Sequence, residues 1–276
     1  MKQLITPRGV KIRFTSVKTA LSKTGLPELD YALNPYIGCY HSCIYCYARL
    51  YTRDRDVSEK WGEVVVVKTN LLSILAREVQ KYPPGIVGIG TITDPYQPIE
   101  AIYRLTRRSI ELLLKKNFAT SIQTKNPLVL RDLDLFKTHR EQVDVGLTIT
   151  SLNEDIRRFI EPKTPPYNAR VEALRKLSLH GVKTWIFYGP VIPGLNDDEE
   201  TIIQIVELAR ETKSTLYYDP IHVKPFLLNP NHQLYNYITG KTRDWWIRVS
   251  KKILDYCIEH HVHCKPGFTG NSVNKV

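Results

Sequence analysis

The sequence predicts an α/β fold, a full or partial barrel of strand–helix units with a C-terminal helical extension. Short β-branched runs alternate with longer amphipathic segments along most of the chain. This alternation predicts parallel pairing of the strands, because each crossover between parallel strands needs room for a helix. With 276 residues, 42% of them hydrophobic, the chain is also long enough to arrange several such units around a buried core.

Seven runs have the composition expected of strands. They cover residues 36–38, 63–68, 86–93, 119–124, 143–150, 183–188 and 216–223. Helical periodicity is present in residues 71–81, 100–116, 128–139, 168–180 and 197–211. In the first of these segments, Leu71, Leu75 and Val79 recur at helical spacing and share one face. We expect the chemistry at the carboxyl ends of the strands, where barrels of this class place it.

Helix boundaries and the tail complete the predicted organisation. Asn153 and Asn168 are expected to cap helices, and Gly181 to follow the end of one. The tail predicts a loop from residue 225 and then a long helix, residues 242–261. Its apolar face consists of Trp246, Val249, Ile253 and Cys257. Because no linker-like stretch interrupts the chain, we predict a single domain over residues 1–276, with the barrel core at about 33–225 and the extension at 226–276.

The charge balance favours anionic partners. Lysine and arginine total 39 against 28 acidic residues, which gives a formal net charge of +11. Nucleic acid, either DNA or RNA, is the first such partner to consider, and the 16 tyrosines and 4 tryptophans suit stacking on bases. Simple solubility in a salty or hot cytosol explains the charge equally well.

The sequence also predicts where the protein works. The first 17 residues contain no apolar run of signal-peptide length, and no stretch approaches the ~20 apolar residues of a membrane span. We therefore expect a cytoplasmic protein with no membrane partner. The oligomeric state is not indicated.

Three cysteines lie within eight residues, in the pattern Cys39-x-x-x-Cys43-x-x-Cys46. In a reducing compartment this clustering favours a metal site over a disulfide framework. Thiolates are the usual ligands of iron–sulfur clusters, and a cubane usually takes four of them. Three ligands would leave one iron open, as catalytic metal sites keep an open position. A zinc site made of the three cysteines and His41 is the alternative, since three cysteines and a histidine form a legitimate zinc set.

The cysteine spacing, with the aromatic Tyr45 before the last cysteine, resembles the signature of the radical S-adenosylmethionine (SAM) superfamily. Three further segments resemble its spore photoproduct lyase-like branch, often labelled DNA repair photolyase. They are Asn34-Pro35-Tyr36, Cys46-Tyr47-Ala48-Arg49 and Thr93-Asp94-Pro95-Tyr96-Gln97-Pro98. The resemblance implies a partial (βα)6-type radical SAM barrel and a [4Fe-4S] cluster held by Cys39, Cys43 and Cys46. It also implies that SAM chelates the open iron and that a reductant such as ferredoxin or flavodoxin supplies electrons for cleavage to a 5′-deoxyadenosyl radical.

The same resemblance implies a set of residues that contact SAM. Tyr45 and Tyr47 would be catalytic together with the cysteines. Thr93 and Asp94 would accept from the SAM ammonium group, and Lys125 would pair with the SAM carboxylate. The remaining predicted cofactor contacts are Thr150, Ser151, Arg170 and Ile192. Each position also has an ordinary structural interpretation: a turn, a solvated lysine, a loop before a helix, or a surface ion pair of Arg170 with Glu161.

The substrate is less well defined than the chemistry. Spore photoproduct lyase uses a cysteine on its second core strand to return hydrogen to its product, and Thr91 aligns with that position. An alcohol O–H bond is too strong to replace a thiol, so Thr91 argues against spore photoproduct as the substrate. Cys264, beyond the last helix, is a hypothetical hydrogen donor or auxiliary ligand, whereas Cys257 is expected to be a buried structural thiol.

Three functional hypotheses follow. The first is a radical SAM enzyme, lyase-like or a transferase, acting on nucleic acid, for which DNA repair is the named possibility. The second keeps this chemistry but acts on a protein or a small molecule. The third is a non-enzymatic zinc or iron–sulfur module that binds nucleic acid.

Overall fold

Parallel strands dominate the larger of two sheets in the computed structural model, which describes residues 3–5, 9–26 and 28–267. The strands are β1 (Gln3–Ile5), β2 (Lys11–Thr15), β3 (Leu21–Lys23), β4 (Tyr31–Leu33), β5 (Tyr36–Ile37), β6 (Val64–Lys68), β7 (Ile86–Ile89), β8 (Ala119–Thr124), β9 (Val143–Thr148), β10 (Lys183–Val191), β11 (Thr215–Pro220) and β12 (Cys264–Pro266). The α-helices are α1 (Arg55–Glu59), α2 (Leu71–Glu78), α3 (Glu100–Tyr103), α4 (Leu105–Leu114), α5 (Leu133–Thr138), α6 (Glu154–Ile160), α7 (Tyr167–Leu179), α8 (Glu199–Glu211), α9 (Tyr235–Ile238) and α10 (Arg243–Glu259). Short 3-10 helices cover Tyr47–Leu50, Pro127–Asp132 and Pro225–Leu228.

The larger sheet forms an open barrel. Its strands follow the order β12-β11-β10-β9-β8-β7-β4-β3, and all are parallel except β3, which pairs with β4 in the antiparallel sense. The edge strands β3 and β12 do not pair with each other among the described residues. The α/β class and the partial barrel predicted from the alternation are therefore confirmed.

A smaller sheet, in the order β1-β2-β6-β5, accounts for a wrong prediction. Residues 36–38 were expected to form the first core strand, directly before the cysteines. Instead Tyr36 pairs with Val67 and Ile37 with Val66 in the small sheet. The first parallel strand of the barrel is β4, whose Leu33 pairs with Ile89 of β7. The cysteine loop is thus reached from β4 through a short strand of the other sheet.

The C-terminal segment is more than a helical extension. Helix α10 is present and buries Val249, Ile253 and Cys257, as its periodicity predicted, but the buried tryptophan is Trp245, and the predicted Trp246 is half-buried. After it, however, β12 adds a parallel strand to the edge of the barrel, with Cys264 opposite Leu216 of β11. The predicted end of the barrel core near residue 225 is therefore wrong, because the strand that returns to the sheet is short and polar.

Two predicted helices are interrupted for identifiable reasons. Arg104 has a left-handed backbone, φ 50°, and divides residues 100–116 into α3 and α4. The Glu100 carboxylate accepts from the backbone N–H of Thr106 at 2.9 Å and so satisfies the start of α4. In residues 128–139, the first half is a 3-10 helix, Pro127–Asp132, capped by Asn126.

The predicted caps had mixed outcomes. Asn153 caps α6 as expected, since its side chain accepts from the N–H of Asp155 at 2.8 Å. Gly181 follows α7, which ends at Leu179 with His180 as its C-cap, also as expected. Asn168 is not a cap, because α7 already begins at Tyr167.

Strand alternation separates the barrel core from its interior. In β8 the side chain of Ile122 is fully buried in the main hydrophobic core, whereas Ser121 and Gln123 line a cavity inside the barrel. The apolar side chains anchor the strands in the core, and the polar side chains between them face the cavity that leads to the strand ends.

Candidate active site

The cysteine loop lies at the carboxyl ends of the parallel strands. Cys39 and Cys43 are buried, Cys46 is half-buried, and all three thiols are free. They line one cavity of about 140 Å³. Gly38 precedes the loop with φ +82°, and a Cβ there would lie 2.5 Å from the carbonyl oxygen of Val64. The three predicted ligands are therefore brought together, and a glycine permits the close approach.

The segment from Thr93 to Pro98 holds the cysteine loop. The Thr93 hydroxyl donates to the Gly38 carbonyl at 2.6 Å, and the fully buried Gln97 amide donates to the same carbonyl at 3.1 Å. The Gln97 oxygen accepts from the backbone N–H of Tyr40 at 2.8 Å. Each bond satisfies a backbone group that would otherwise be buried without a partner. Sequence reasoning did not single out Gln97.

Asp94 is surrounded by protein donors. Its Oδ1 accepts from the Tyr96 N–H at 2.9 Å and the Thr124 hydroxyl at 2.7 Å, and its Oδ2 accepts from the Lys125 N–H at 2.7 Å. His41 Nδ1 lies 3.2 Å from Oδ2. Although burial opposes ionisation, His41 and these hydrogen bonds lower the pKa of Asp94 to about 2. Asp94 therefore supports the end of β8 and faces His41 of the cysteine loop, and its contact with the SAM ammonium group stays a prediction.

His41 is enclosed between Asp94 and the first cysteine. Its side chain is 1% exposed, and Nε2 has no hydrogen-bond partner among the described residues. Burial opposes the charged form, but Asp94 and Cys39 raise the pKa of His41 to about 9. A histidine considered only as a zinc ligand is therefore placed against the Cys39 thiol and a carboxylate.

Asn34 connects the ends of the first two barrel strands beneath the site. Its Nδ2 donates to the Thr91 hydroxyl and its Oδ1 accepts from the Ile92 N–H, both at 2.9 Å. The Tyr47 hydroxyl donates to the Thr91 carbonyl at 3.1 Å. Tyr47 thus contacts Thr91, the residue that aligns with the hydrogen-donating cysteine of spore photoproduct lyase.

Tyr45 is tied to a buried ion pair. Its hydroxyl donates to the Glu161 carboxylate, and Glu161 Oε2 lies 2.6 Å from Arg170 Nη1, with both charged side chains fully buried. Burial disfavours the charge of Glu161, but Arg170 and Lys125 lower its pKa. The alternative of a surface ion pair for Glu161 and Arg170 is therefore wrong.

Lys125 lines the cysteine cavity beside Tyr45. Its Nζ lies 5.8 Å from the centroid of the Tyr45 ring. Burial disfavours its charge, yet Cys43 and Glu161 raise the pKa of Lys125. The surroundings of Lys125 therefore favour its positive charge, which suits the predicted contact with the SAM carboxylate.

Four predicted cofactor contacts lie outside the lining of this cavity. They are Thr150, Ser151, Arg170 and Ile192, all of them fully buried. The Thr150 hydroxyl is hydrogen-bonded to Tyr167 at 2.5 Å, and Ser151 accepts from the Asn153 N–H. Arg170 donates to the Thr148 carbonyl at 3.1 Å, so it supports the end of β9 from behind. Their hydrogen-bond partners here are protein groups, and their direct contact with SAM stays a prediction.

The cavity also contains residues that were not predicted. Asp219, at the end of β11, is buried, and its Oδ2 lies 2.6 Å from Nε2 of His222. Trp61 contributes an indole whose Nε1 has no hydrogen-bond partner among the described residues. An aspartate at the end of an aromatic strand could have indicated Asp219 and its partner His222 from the sequence. No sequence feature near Trp61 indicated that this residue would line the cavity.

Cys264 does not reach this site. Its neighbours His263 and Lys265 line the barrel interior, so strand alternation turns Cys264 to the outer face. There its thiol lies next to that of Cys257 on α10. The hypothesis of a hydrogen donor or auxiliary ligand is therefore not supported, whereas the expected burial of Cys257 is confirmed.

A second cavity, of about 630 Å³, occupies the barrel interior. It shares Tyr47, Thr91, Gln123 and Phe187 with the cysteine cavity. The interior cavity therefore adjoins the cysteine cavity and provides room for a substrate beside it.

The donor set fits an iron–sulfur cluster. Burial raises the pKa of Cys43 and raises that of Cys46 to about 11, so iron binding would release protons from these thiols. Within the described part of the chain, no three His, Cys, Asp or Glu side chains are arranged to hold a single metal ion. A cubane bonds each cysteine to a different iron, whereas zinc ligands must converge on one atom.

A family comparison decides the identity. The model of the radical SAM superfamily matches residues 33–206, which is more than half of the chain. The chain belongs to the radical SAM superfamily. It is therefore a radical SAM enzyme, and its cofactors are a [4Fe-4S] cluster and SAM. The predicted fold, enzyme class and cofactors are confirmed at this level.

Relatives of this radical SAM enzyme occur in an archaeon and in a mycobacterium. An uncharacterized protein of Methanocaldococcus jannaschii is 37% identical over 193 residues, covering 70% of this chain and 72% of that protein. An uncharacterized protein of Mycobacterium tuberculosis is 32% identical over 208 residues, covering 72% of this chain and 61% of that protein.

Solved structures establish the fold. A spore photoproduct lyase variant matches with a TM-score of 0.73 and 17% identity, over 94% of this chain and 82% of that chain. A radical SAM methyltransferase from Sphaerobacter thermophilus matches with a TM-score of 0.59 and 14% identity, over 96% and 67%. The predicted likeness to spore photoproduct lyase is confirmed for the fold. No helix among the described residues has the length and apolar character needed to cross a membrane.

Proposed function

We propose that Cys39, Cys43 and Cys46 hold the [4Fe-4S] cluster and that the chain cleaves SAM reductively to act on nucleic acid. The observation that carries the proposal is the convergence of three free thiols on one cavity at the carboxyl ends of the parallel strands. When bound, the reduced cluster supplies the electron that cleaves SAM to methionine and a 5′-deoxyadenosyl radical.

The protein residues have distinct roles in this proposal. Lys125 pairs with the SAM carboxylate, because it is a lysine in the cavity whose positive charge Cys43 and Glu161 favour. Tyr45 covers the loop and is oriented by Glu161. Thr93 and Asp94 act indirectly: Thr93 holds the Gly38 carbonyl, and Asp94 holds the His41 side chain.

The buried residues behind the cavity shape it without touching the cofactor. Arg170 supports the end of β9, and Thr150 and Ser151 complete the turn that follows that strand. Ile192 packs in the apolar cluster beneath the loop that leaves β10. We assign these four residues a positioning role.

Nucleic acid is the substrate class that several observations favour. The net charge of +11 attracts phosphates, and the interior cavity opens beside Tyr47 and Thr91. One structural neighbour is spore photoproduct lyase with a dinucleoside spore photoproduct, and one relative, 26% identical over 194 residues, is a dual-specificity RNA methyltransferase of Wolinella succinogenes. Because Thr91 lacks a thiol, we assign the substrate to nucleic acid other than spore photoproduct. Repair of DNA is one form this activity could take.

A small-molecule substrate is the second candidate. The 630 Å³ interior could enclose a metabolite without any contact to a polymer. A reductant such as ferredoxin or flavodoxin serves either substrate, and a reducing cytoplasm would keep the cysteines available for the cluster.

Anaerobic reconstitution tests the proposal. We expect four irons and four sulfides per wild-type chain, and 5′-deoxyadenosine after addition of SAM and dithionite. The Cys43→Ala variant should lose both, whereas Cys257→Ala, outside the site, should keep them. An intact wild-type cluster without SAM cleavage, or zinc in place of iron, would contradict the proposal.

Binding assays separate the two substrate classes. If the substrate is nucleic acid, affinity for an oligonucleotide should fall steeply between 50 and 200 mM salt, by about 10³-fold for roughly six phosphate contacts. Affinity that does not depend on salt would favour the small molecule.

A further inference from the structure

Trp61 has a buried N–H group with no acceptor. Its side chain is 8% exposed, and no hydrogen-bond partner of Nε1 exists among the described residues. Native proteins rarely leave a buried donor unpaired, because the group has lost its water and gained nothing in return. An acceptor that belongs to a bound group is therefore expected beside this indole.

The indole lies where the proposed cluster would be. Trp61 lines the same cavity as the three thiols. It also packs in a small hydrophobic cluster that contains Cys39 and has Cys46 against it. The acceptors that a [4Fe-4S] cluster brings into this space are sulfur atoms, either inorganic sulfides or cysteine thiolates.

The cysteine loop itself fixes the position of Trp61. The Ser42 hydroxyl donates to the Trp61 carbonyl at 3.1 Å. At Gly62 the backbone has φ +88°, and an added Cβ would lie 2.3 Å from Cβ of Ser42. Lys163 Nζ donates to the Gly62 carbonyl at 2.9 Å. The turn that carries the indole is therefore docked directly on the loop between two proposed ligands.

Trp61 is a better-defined donor than its neighbour His41. An indole nitrogen is a donor in every protonation state of the protein, whereas the donors of histidine depend on its tautomer and charge. Asp94 also already faces one nitrogen of His41. We therefore assign the donor role to Trp61 and not to His41.

We propose that Trp61 Nε1–H donates a hydrogen bond to a sulfur atom of the cluster and raises its reduction potential. This inference rests on the cluster of the proposed function. One-electron reduction adds negative charge to the sulfurs, so an N–H donor stabilises the reduced form more than the oxidised form. Trp61 is in this sense a positioning residue that makes the cluster easier to reduce by its electron donor.

Potentiometry monitored by electron paramagnetic resonance tests this role in the anaerobic, reconstituted enzyme. In Trp61→Phe, the ratio of reduced to oxidised cluster at a fixed ambient potential should fall about tenfold, which is about 59 mV for a one-electron couple. Trp245→Phe is the matched control, because the Trp245 indole is also buried but donates to Asp197 at 2.7 Å. Its ratio should stay within about twofold of wild type.

The direction of the shift distinguishes the hydrogen bond from loss of bulk. A smaller side chain that only admitted water would stabilise the more charged, reduced form and raise the potential. An unchanged or raised potential in Trp61→Phe with a full cluster therefore overturns the inference. A wild-type chain that binds no four-iron cluster overturns the proposed function instead.

A second measurement covers failure of the variant to load its cluster. In wild-type enzyme labelled with 15N-indole tryptophan, electron–nuclear double resonance of the reduced cluster should detect a 15N coupling. Its absence overturns the inference, whatever the variant does.

Discussion

The backbone N–H of Tyr40 donates to the side-chain oxygen of Gln97 at 2.8 Å, within a segment that lies 57 residues further along the chain. The other end of the Gln97 amide donates to the Gly38 carbonyl. One buried amide thus holds the backbone on both sides of Cys39, and the geometry of the first proposed ligand depends on a residue that is not itself a ligand.

Replacing Gln97 should release the cysteine loop. Gln97→Leu leaves the Tyr40 N–H and part of the bonding of Gly38 unsatisfied, at about 1–3 kcal/mol for each buried group. We expect at least half of the iron bound after reconstitution to be lost and the free energy of unfolding to fall by about 3 kcal/mol. Iron analysis and urea denaturation measure the two effects. Gln204→Leu, on the surface of α8, is the control, and equal behaviour of the two variants would contradict the assignment.

Removing only one partner of the buried Arg170–Glu161 ion pair should lower the free energy of unfolding substantially. Arg170→Met leaves the Glu161 carboxylate buried beside an apolar chain, and we expect a loss of about 3–5 kcal/mol in unfolding free energy. Adding Glu161→Gln should restore part of it, since the second change removes the stranded charge. Urea denaturation of the single and double variants measures this coupling.

An exposed pair provides the control for that prediction. Arg158 and Asp155 lie 2.6 Å apart but are 66% and 86% exposed, so Arg158→Met should cost under ~1 kcal/mol. Additive losses in the Arg170 and Glu161 variants would show that the buried pair is not coupled.

The half-buried Lys68 should make stability depend on pH. Its Nζ donates to the Asn34 carbonyl at 2.6 Å, and burial lowers the pKa of Lys68 from 10.5 to about 8. Between these values the unfolded chain binds more protons than the folded one, so stability rises with pH through this window and is lost as the pH falls towards 8.

Comparison with Lys68→Met isolates this contribution. The difference in unfolding free energy between wild type and the variant should shift in favour of wild type by up to about 3 kcal/mol between pH 7.5 and 10.5. Lys116→Met, on the surface, controls for general effects of removing a lysine. Parallel pH profiles of wild type and Lys68→Met would refute the prediction.

Cys264→Ala should leave the chemistry unchanged. The thiol faces α10 and contacts Cys257 rather than either cavity. We expect wild-type iron content and wild-type yields of 5′-deoxyadenosine, with a stability loss of about 1 kcal/mol. A variant that kept its cluster but lost turnover would return Cys264 to the active site.

The features that could be predicted are those carried by neighbouring residues. The spacing of Cys39, Cys43 and Cys46, with Tyr45 between them, pointed to the cluster because covalent proximity keeps them in one loop. The alternation of strands and helices indicated the parallel sheet for the same local reason. The single-domain assignment and the individual roles of the site residues stay predictions.

The features that could not be predicted depend on partners distant in the chain. Asp94 was expected to bind SAM, but His41, Thr124 and the Lys125 backbone occupy its oxygens. Strand β5 belongs to the small sheet and not to the barrel because its pairing partner is β6. Cys264 faces outward because of the register in which β12 pairs with β11. Spacing along the chain predicts which groups are available, but the directions of side chains and the occupancy of their hydrogen bonds arise only when separate elements pack together.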